Sequence, residues 1–256
     1  MINIVVPMAG LGSRFAVEGY STPKPLIPVH GIPMIRLVIE NVKPKCEHRF
    51  IFICRQAHVD EFSLNEKLRK WAPNCEVIGL ESLTEGAACT VLTARSLIND
   101  DSPLLVVNSD QYIDASIDGF LNAANEGDLN GLIMTMKADD PKWSFVGLGN
   151  DGLAQRVVEK EVISDCATVG IYYFQRGVDF VQAADAMISR EIRVNNEFYV
   201  APVYNEMIDE GARIGIYDIG SVARGMHGLG VPGDLQDFLN LPLSLKIVSE
   251  INDDNN

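Results

Sequence analysis

In the first half of the chain, short runs of consecutive apolar residues alternate with stretches whose apolar residues recur every three or four positions. Ile4, Val5 and Val6 form the first run, β-branched and without polar alternation, the pattern of a strand buried on both faces. Residues 33–42 carry apolar side chains at helical spacing behind Pro33, which suits a first helical turn. Residues 50–54 predict a second strand, 60–71 an amphipathic helix that ends near Pro73, and 75–80 a third strand. Residues 85–98 mix small and apolar side chains at helical spacing, as in a helix packed closely on a sheet, and 104–107 form another buried strand. This alternation predicts an α/β fold: a Rossmann-like, three-layer architecture with a mixed, mainly parallel sheet and helices on both faces. Ligands bind beyond the carboxyl ends of the strands in such a sheet.

The rhythm loosens in the second half. Residues 132–136 and 144–148 read as strands, with Asn150, Asp151 and Gly152 as a tight turn into a strand over 153–158. Further strands are expected over 169–174 and 213–217, and helices over 178–188, 201–209 and 233–239. No Ser/Gly-rich linker, internal repeat or low-complexity tract interrupts the chain, so it reads as one domain over 1–256, with a polar tail over 251–256 that frays.

Composition narrows the partners. A chain of 256 residues can build one large core, and 47% hydrophobic with 22% charged residues is ordinary for a globular protein. The formal net charge of −14 argues against nucleic acid, whose backbone demands a basic surface. A site for anions must therefore concentrate its few cations locally. Cys46, Cys54, Cys75, Cys89 and Cys166 show no CxxC or Cys/His ligand spacing, which argues against zinc and against a disulfide framework. The N-terminus opens directly into a strand and no apolar run reaches membrane length, so a cytoplasmic protein without a membrane partner is expected.

The first strand leads into Ala9, Gly10, Leu11, Gly12, Ser13 and Arg14, a loop with two glycines and a cation. Glycines let the backbone bend tightly and bring N–H groups close to an anion. Arg14 and Lys24 supply positive charge that suits a polyphosphate. The stretch does not supply the GxxxxGK[ST] of a P-loop, and Phe15 stands where GxGxxG needs its third glycine. It does contain GxG[ST]R from Gly10 to Arg14, PKP[LM] at Pro23, Lys24, Pro25 and Leu26, and PxxGxPM from Pro28 to Met34. On these residues the chain resembles the nucleotidylyltransferases that activate sugar 1-phosphates, the nucleoside-diphosphate-sugar pyrophosphorylases. The resemblance covers nearly the whole chain and thins after Glu197.

That resemblance implies a GT-A-like nucleotidyltransferase fold, with Mg²⁺, an NTP and a phosphorylated small-molecule acceptor as ligands. Residues 1–115 would bind the nucleotide and 116–250 the acceptor. Ala9, Gly10, Gly12 and Ser13 would cradle the nucleotide, with Arg14 and Lys24 facing its triphosphate. Glu81 and Gly86 fall where the family reads the base with a glutamine and a GxA turn. A carboxylate only accepts hydrogen bonds, so Glu81 leaves the base open. Asp110 ends a buried strand on the same edge and would hold the metal as a hard oxygen ligand, although aspartate there also caps turns. Glu159 and Lys160 match the family's EK pair, lysine for the acceptor phosphate and glutamate for its hydroxyls. Gly170 matches the glycine that admits a sugar ring, and Glu197 lies in the acidic segment over the acceptor. The family's second metal-binding aspartate falls on Gly228, leaving Asp218, or water and phosphate, to complete the shell; Asp234 is expected to cap the last helix.

The implied reaction is Mg²⁺-dependent nucleotidyl transfer to a sugar 1-phosphate with release of pyrophosphate. Three readings stay open beside it. The acceptor is a phosphorylated non-sugar, choline-like or an amide phosphate. The chain is a GT-A-type glycosyltransferase, against which Asn108 stands where Asp-x-Asp needs its first aspartate. Or it binds nucleotide without turnover, a reading raised by Gly228. Assembly into a homo-oligomer is also left open.

Overall fold

The computed structural model describes residues 1–253. Its first half runs β1 (Ile2–Pro7), α1 (Ser13–Val17), the paired short strands β2 (Pro28–Val29) and β3 (Ile32–Pro33), α2 (Met34–Val42) and β4 (His48–Arg55). It continues through α3 (Gln56–Glu61), α4 (Leu64–Trp71), β5 (Glu76–Leu80), α5 (Ala87–Leu92), α6 (Arg95–Ile98) and β6 (Leu104–Val107). The second half runs β7 (Gln111–Ile113), α7 (Ile117–Glu126), β8 (Gly131–Lys137), β9 (Ser144–Leu148), β10 (Ala154–Glu159) and β11 (Cys166–Phe174). It closes with α8 (Gly177–Ser189), α9 (Val203–Asp209), β12 (Ile214–Val222), β13 (Gly225–Gly228), α10 (Pro232–Leu239) and α11 (Pro242–Asp253).

One sheet of 11 strands follows the order β5-β4-β1-β6-β11-β8-β12-β13-β7, with the β9–β10 hairpin set against β11. The β5-β4-β1-β6 half is parallel throughout, and β11 joins it antiparallel to β6. This is the mixed α/β fold that the alternation predicts. Period-two packing sends Ile4, Val6, Phe50 and Phe52 to one face, under α2, α4 and α7. Val5, Ile51 and Ile53 face the opposite way, under α5, α8 and α9. A third cluster joins Phe15, Ile27, Val29 and Met34 to Leu235, Phe238, Ile247 and Ile251, so the C-terminal helices pack behind the glycine loop.

Several expected boundaries move. The helix expected over 60–71 begins at Gln56 and breaks at Ser63, whose backbone is left-handed (φ 49°). The helix expected over 85–98 divides into α5 and α6. There the Thr93 hydroxyl bonds back to the Thr90 carbonyl at 2.7 Å, and Ala94 N–H reaches Val91 O at 3.0 Å, so the turn tightens. Helix α7 was not anticipated, although Ser116 Oγ accepts from Gly119 N–H at 3.1 Å as an N-cap and Ile117, Phe120, Leu121 and Ala124 form its buried stripe. Helix α11 was missed in the same way; it buries Ser244, Ile247, Val248 and Ile251 and carries Ile251, Asn252 and Asp253 out of the expected polar tail. The remainder of that tail, 254–256, lies outside the described residues.

Candidate active site

The carboxyl end of β1 opens into the glycine loop. Gly12 has a left-handed backbone (φ 62°), and a β-carbon there would lie 3.3 Å from Lys24 Cβ, so the loop can only close this tightly with glycine. Phe15 is buried and meets Tyr20 edge to face with centroids 5.1 Å apart, which anchors α1 while Arg14 stays exposed. Ala9 lies buried beneath the loop. The 3₁₀ turn Lys24–Leu26 buries Pro25 and Leu26 and sends the Lys24 ammonium to Asp110, Nζ to Oδ2 2.8 Å. With the two side chains 22% and 26% exposed, this pair is worth on the order of 1 kcal/mol.

Asp110 follows β6, and the loop that carries it is tied to the second half of the chain by two backbone bonds. Asn108 N–H donates to Gly170 O at 2.9 Å, and Leu229 N–H donates to Asp110 O at 2.8 Å. Gly170 sits in an irregular stretch of β11 with φ +78°, where a β-carbon would meet Asn108 Nδ2 at 2.1 Å. Across the opening, Lys160 is itself left-handed (φ 58°); its ammonium bonds the Tyr199 hydroxyl and lies 4.6 Å from the ring centroid. The bond to Tyr199 raises the Lys160 pKa. Glu159 is buried and accepts from the Ser144 hydroxyl; burial raises its pKa, with Ser144 and Lys160 pulling the other way. Glu197 closes a two-residue turn in which Asn195 and Asn196 are both left-handed, at 48° and 63°.

These elements enclose a cavity of about 650 Å³. Gly10, Gly12, Ser13, Arg14, Lys24, Asp110, Lys160 and Glu197 all line it. An adjoining recess of about 200 Å³ holds Glu159 and Gly170, with Trp143, Tyr172 and Tyr199 as aromatic walls. Glu81 is exposed and lines neither space. Gly86 lines neither as well: a β-carbon on it would lie 2.4 Å from Phe198 O, so its backbone packs against the segment that carries Glu197.

The matched family model, described as "Nucleotidyl transferase", covers residues 5–211. The chain belongs to the nucleotidyl transferase family. Among its relatives, the bifunctional protein GlmU of Methanococcus maripaludis is 30% identical over 184 residues, covering 69% of this chain and 41% of the relative. A mannose-1-phosphate guanyltransferase of Gibberella zeae is 27% identical over 194 residues, 73% of this chain and 53% of that protein. The chain thus spans about half, or less, of the length of these relatives. The solved nucleoside-diphosphate-sugar pyrophosphorylase of Vibrio cholerae RC9 superposes with TM-score 0.80 at 26% identity, covering 93% of this chain and 100% of that one. The inositol-1-phosphate CTP transferase of T. maritima shares the fold, with TM-score 0.70 at 15% identity over 97% of this chain and 95% of that one.

The nucleotidyl transferase cavity also holds residues that the sequence did not assign to the site: Asn108, Gln111, Lys142, Trp143 and Asp234. The amide nitrogen of Gln111 and the indole nitrogen of Trp143 are buried without a hydrogen-bond partner. Asp234 is not the expected cap. Helix α10 begins after Val231 with Pro232 in its first turn, no side chain caps it, and Asp234 lies inside that turn facing the cavity. Asp218 lies elsewhere, its Oδ1 accepting from Gly220 N–H at 2.8 Å as a turn cap. Among the described residues no helix is long and apolar enough to cross a membrane.

Proposed function

We propose that this chain transfers a nucleotidyl group from an NTP to a sugar 1-phosphate, releasing pyrophosphate and forming an NDP-sugar in the cytoplasm. One observation carries the reading: Arg14, Lys24 and Asp110 from the first half and Lys160 and Glu197 from the second line a single cavity. An acceptor phosphate oxygen attacks the α-phosphorus, the bond to the β-phosphate oxygen breaks, and pyrophosphate leaves with that electron pair. The acceptor phosphate is already ionised at neutral pH, so no general base is needed, and catalysis rests on positioning and charge. In this reading Arg14 and Lys24 hold the triphosphate, Lys160 the acceptor phosphate, and Glu197 its hydroxyls. Gly10, Gly12 and Ser13 offer backbone to the phosphates, while Gly86 braces the Glu197 segment.

A divalent cation fits the donor set, because carboxylate oxygen faces the cavity at Asp110. Bound there with the triphosphate, Mg²⁺ would offset the phosphate charge. Among the described residues no group of three or more His, Cys, Asp or Glu is placed to hold a metal.

A phosphorylated non-sugar acceptor is the second reading, and one contact favours it. The Glu159 carboxyl, which would bind sugar hydroxyls, is already bonded to Ser144 and buried. A pyrophosphate-release screen of four NTPs against sugar 1-phosphates and phosphorylated amines separates the two. Release with no acceptor of either class would overturn both.

A further inference from the structure

We propose that Asp234 supplies the second carboxylate of the divalent-cation site that begins at Asp110, in the place that Gly228 leaves without a side chain. The proposal rests on the nucleotidyl-transfer reading of this cavity and names a residue the sequence assigned to helix capping. Strand β13 brings the run from Gly228 to Gly230 alongside Asp110, with Gly228 opposite Gln111 and Leu229 N–H bonded to Asp110 O at 2.8 Å. A carboxylate meets each glycine of that run. A β-carbon on Gly230 would lie 2.5 Å from Asp110 Oδ2, and one on Gly228 would lie 3.1 Å from Asp234 Oδ2. Asp234 thus reaches back from α10 and places its oxygen beside the position from which a side chain at 228 would start.

The two carboxylates differ in how they are satisfied. Asp110 has the Lys24 ammonium, whereas Asp234 has no hydrogen bond or ion pair among the described residues. A half-buried carboxylate without a partner is costly, and a cation removes that cost. Aspartate in a first helical turn is favoured by the helix dipole, but its usual bond to a backbone N–H is missing here. A second unpaired group points to the same ligand: the buried Gln111 amide nitrogen, 3% exposed as a residue, lines this cavity and lacks an acceptor. A phosphate oxygen would satisfy it and would share the cation held by Asp110 and Asp234. Hard carboxylate and phosphate oxygens select Mg²⁺ or Mn²⁺.

The test is Mn²⁺ binding, read by calorimetry and by the paramagnetic signal of free Mn²⁺, with a non-hydrolysable NTP present and no turnover needed. Asp234→Asn should weaken Mn²⁺ by about tenfold or more while leaving the melting temperature near wild type. The paired change Gly228→Asp with Asp234→Ala moves the carboxylate to the other side of the same spot. The nearest atoms to a β-carbon at 228 belong to Asp234, so truncating Asp234 clears the room. This double variant should recover most of the lost affinity. Wild-type Mn²⁺ affinity in Asp234→Asn would overturn the proposal, as would a folded double variant that recovers nothing. Mn²⁺ binding that follows this pattern, together with no pyrophosphate release from any acceptor, would keep the cation site and discard the transfer reaction.

Discussion

Gly230→Ala is the sharpest test of how Asp110 is held, because it adds one methyl group and no charge. The new β-carbon would stand 2.5 Å from Asp110 Oδ2, short of ordinary contact at 3.4 Å by about 0.9 Å. Residue 230 does not have a left-handed backbone, so alanine adds no conformational strain there. Asp110 must yield, since its main chain is fixed by the bond from Leu229 N–H at 2.8 Å. Yielding loosens the contact with Lys24, on the order of 1 kcal/mol of stability for a pair this exposed. In a domain of this size that lowers the melting temperature by about 2–4 °C. A displacement near 1 Å in a phosphate-positioning group costs about 10²-fold in rate, or about 2.7 kcal/mol of transition-state binding. The expected outcome is therefore a nearly intact fold with kcat/KM for pyrophosphate release reduced about 10²-fold. Gly233→Ala is the control: no atom lies within 4 Å of its β-carbon, so it should keep wild-type activity. Full activity in Gly230→Ala would refute the claim that the position of Asp110 matters.

Arg14→Ala and Lys24→Ala should each slow pyrophosphate release by about 10²-fold or more, with melting shifts of only a few degrees, because both side chains line the cavity rather than the core. Equal losses of stability and activity would mark the loop as structural. Burial raises the Glu159 pKa, so the folded chain holds that proton more tightly than the unfolded one, and Glu159 costs stability as the pH rises through its folded pKa. Glu159→Gln removes that term, and its melting temperature relative to wild type should climb as the pH rises above the ordinary glutamate range; a flat difference would contradict the raised pKa. Tyr204→Phe removes the buried hydroxyl that donates to Tyr173 O at 2.8 Å but keeps the ring stacked 4.5 Å from Phe174. It should destabilise by about 1–3 kcal/mol, checked by chemical denaturation, and an unchanged midpoint would rule out the bond's contribution.

The parallel half of the sheet was readable because strands such as β1 and β6 are buried on both faces and show it in unbroken apolar runs. Strands β7 and β13 were not, since Gly225 and Gly228 are poor strand formers and the strands exist through pairing of β13 with both β7 and β12. Helix α7 carried a readable cap and stripe that Gly119 and Gly127 disguised. At the cavity, Arg14, Lys24 and Asp110 stand in or beside short local motifs, so sequence alone brought them together. Asp234, Gln111 and Trp143 reach it through turns and register that only the tertiary structure sets.

The cluster behind the glycine loop joins segments far apart in sequence. His30 Nε2 lies 2.8 Å from Ser244 Oγ, and Arg36 donates to Ile251 O at 3.3 Å, across sequence separations of 214 and 215 residues. During synthesis the loop that carries Arg14 leaves the ribosome well before the surface it leans on, which α10 and α11 supply. Closure over such a span costs entropy that grows only logarithmically with length, so it delays folding more than it weakens the folded state. The parallel half can pair its strands while the chain is still growing, yet the cavity stays unbacked until Ile251 has been added. Ligand binding therefore depends on synthesis of α11, and nucleotide-dependent protection of the loop from proteolysis should appear only in nascent chains long enough to include that helix.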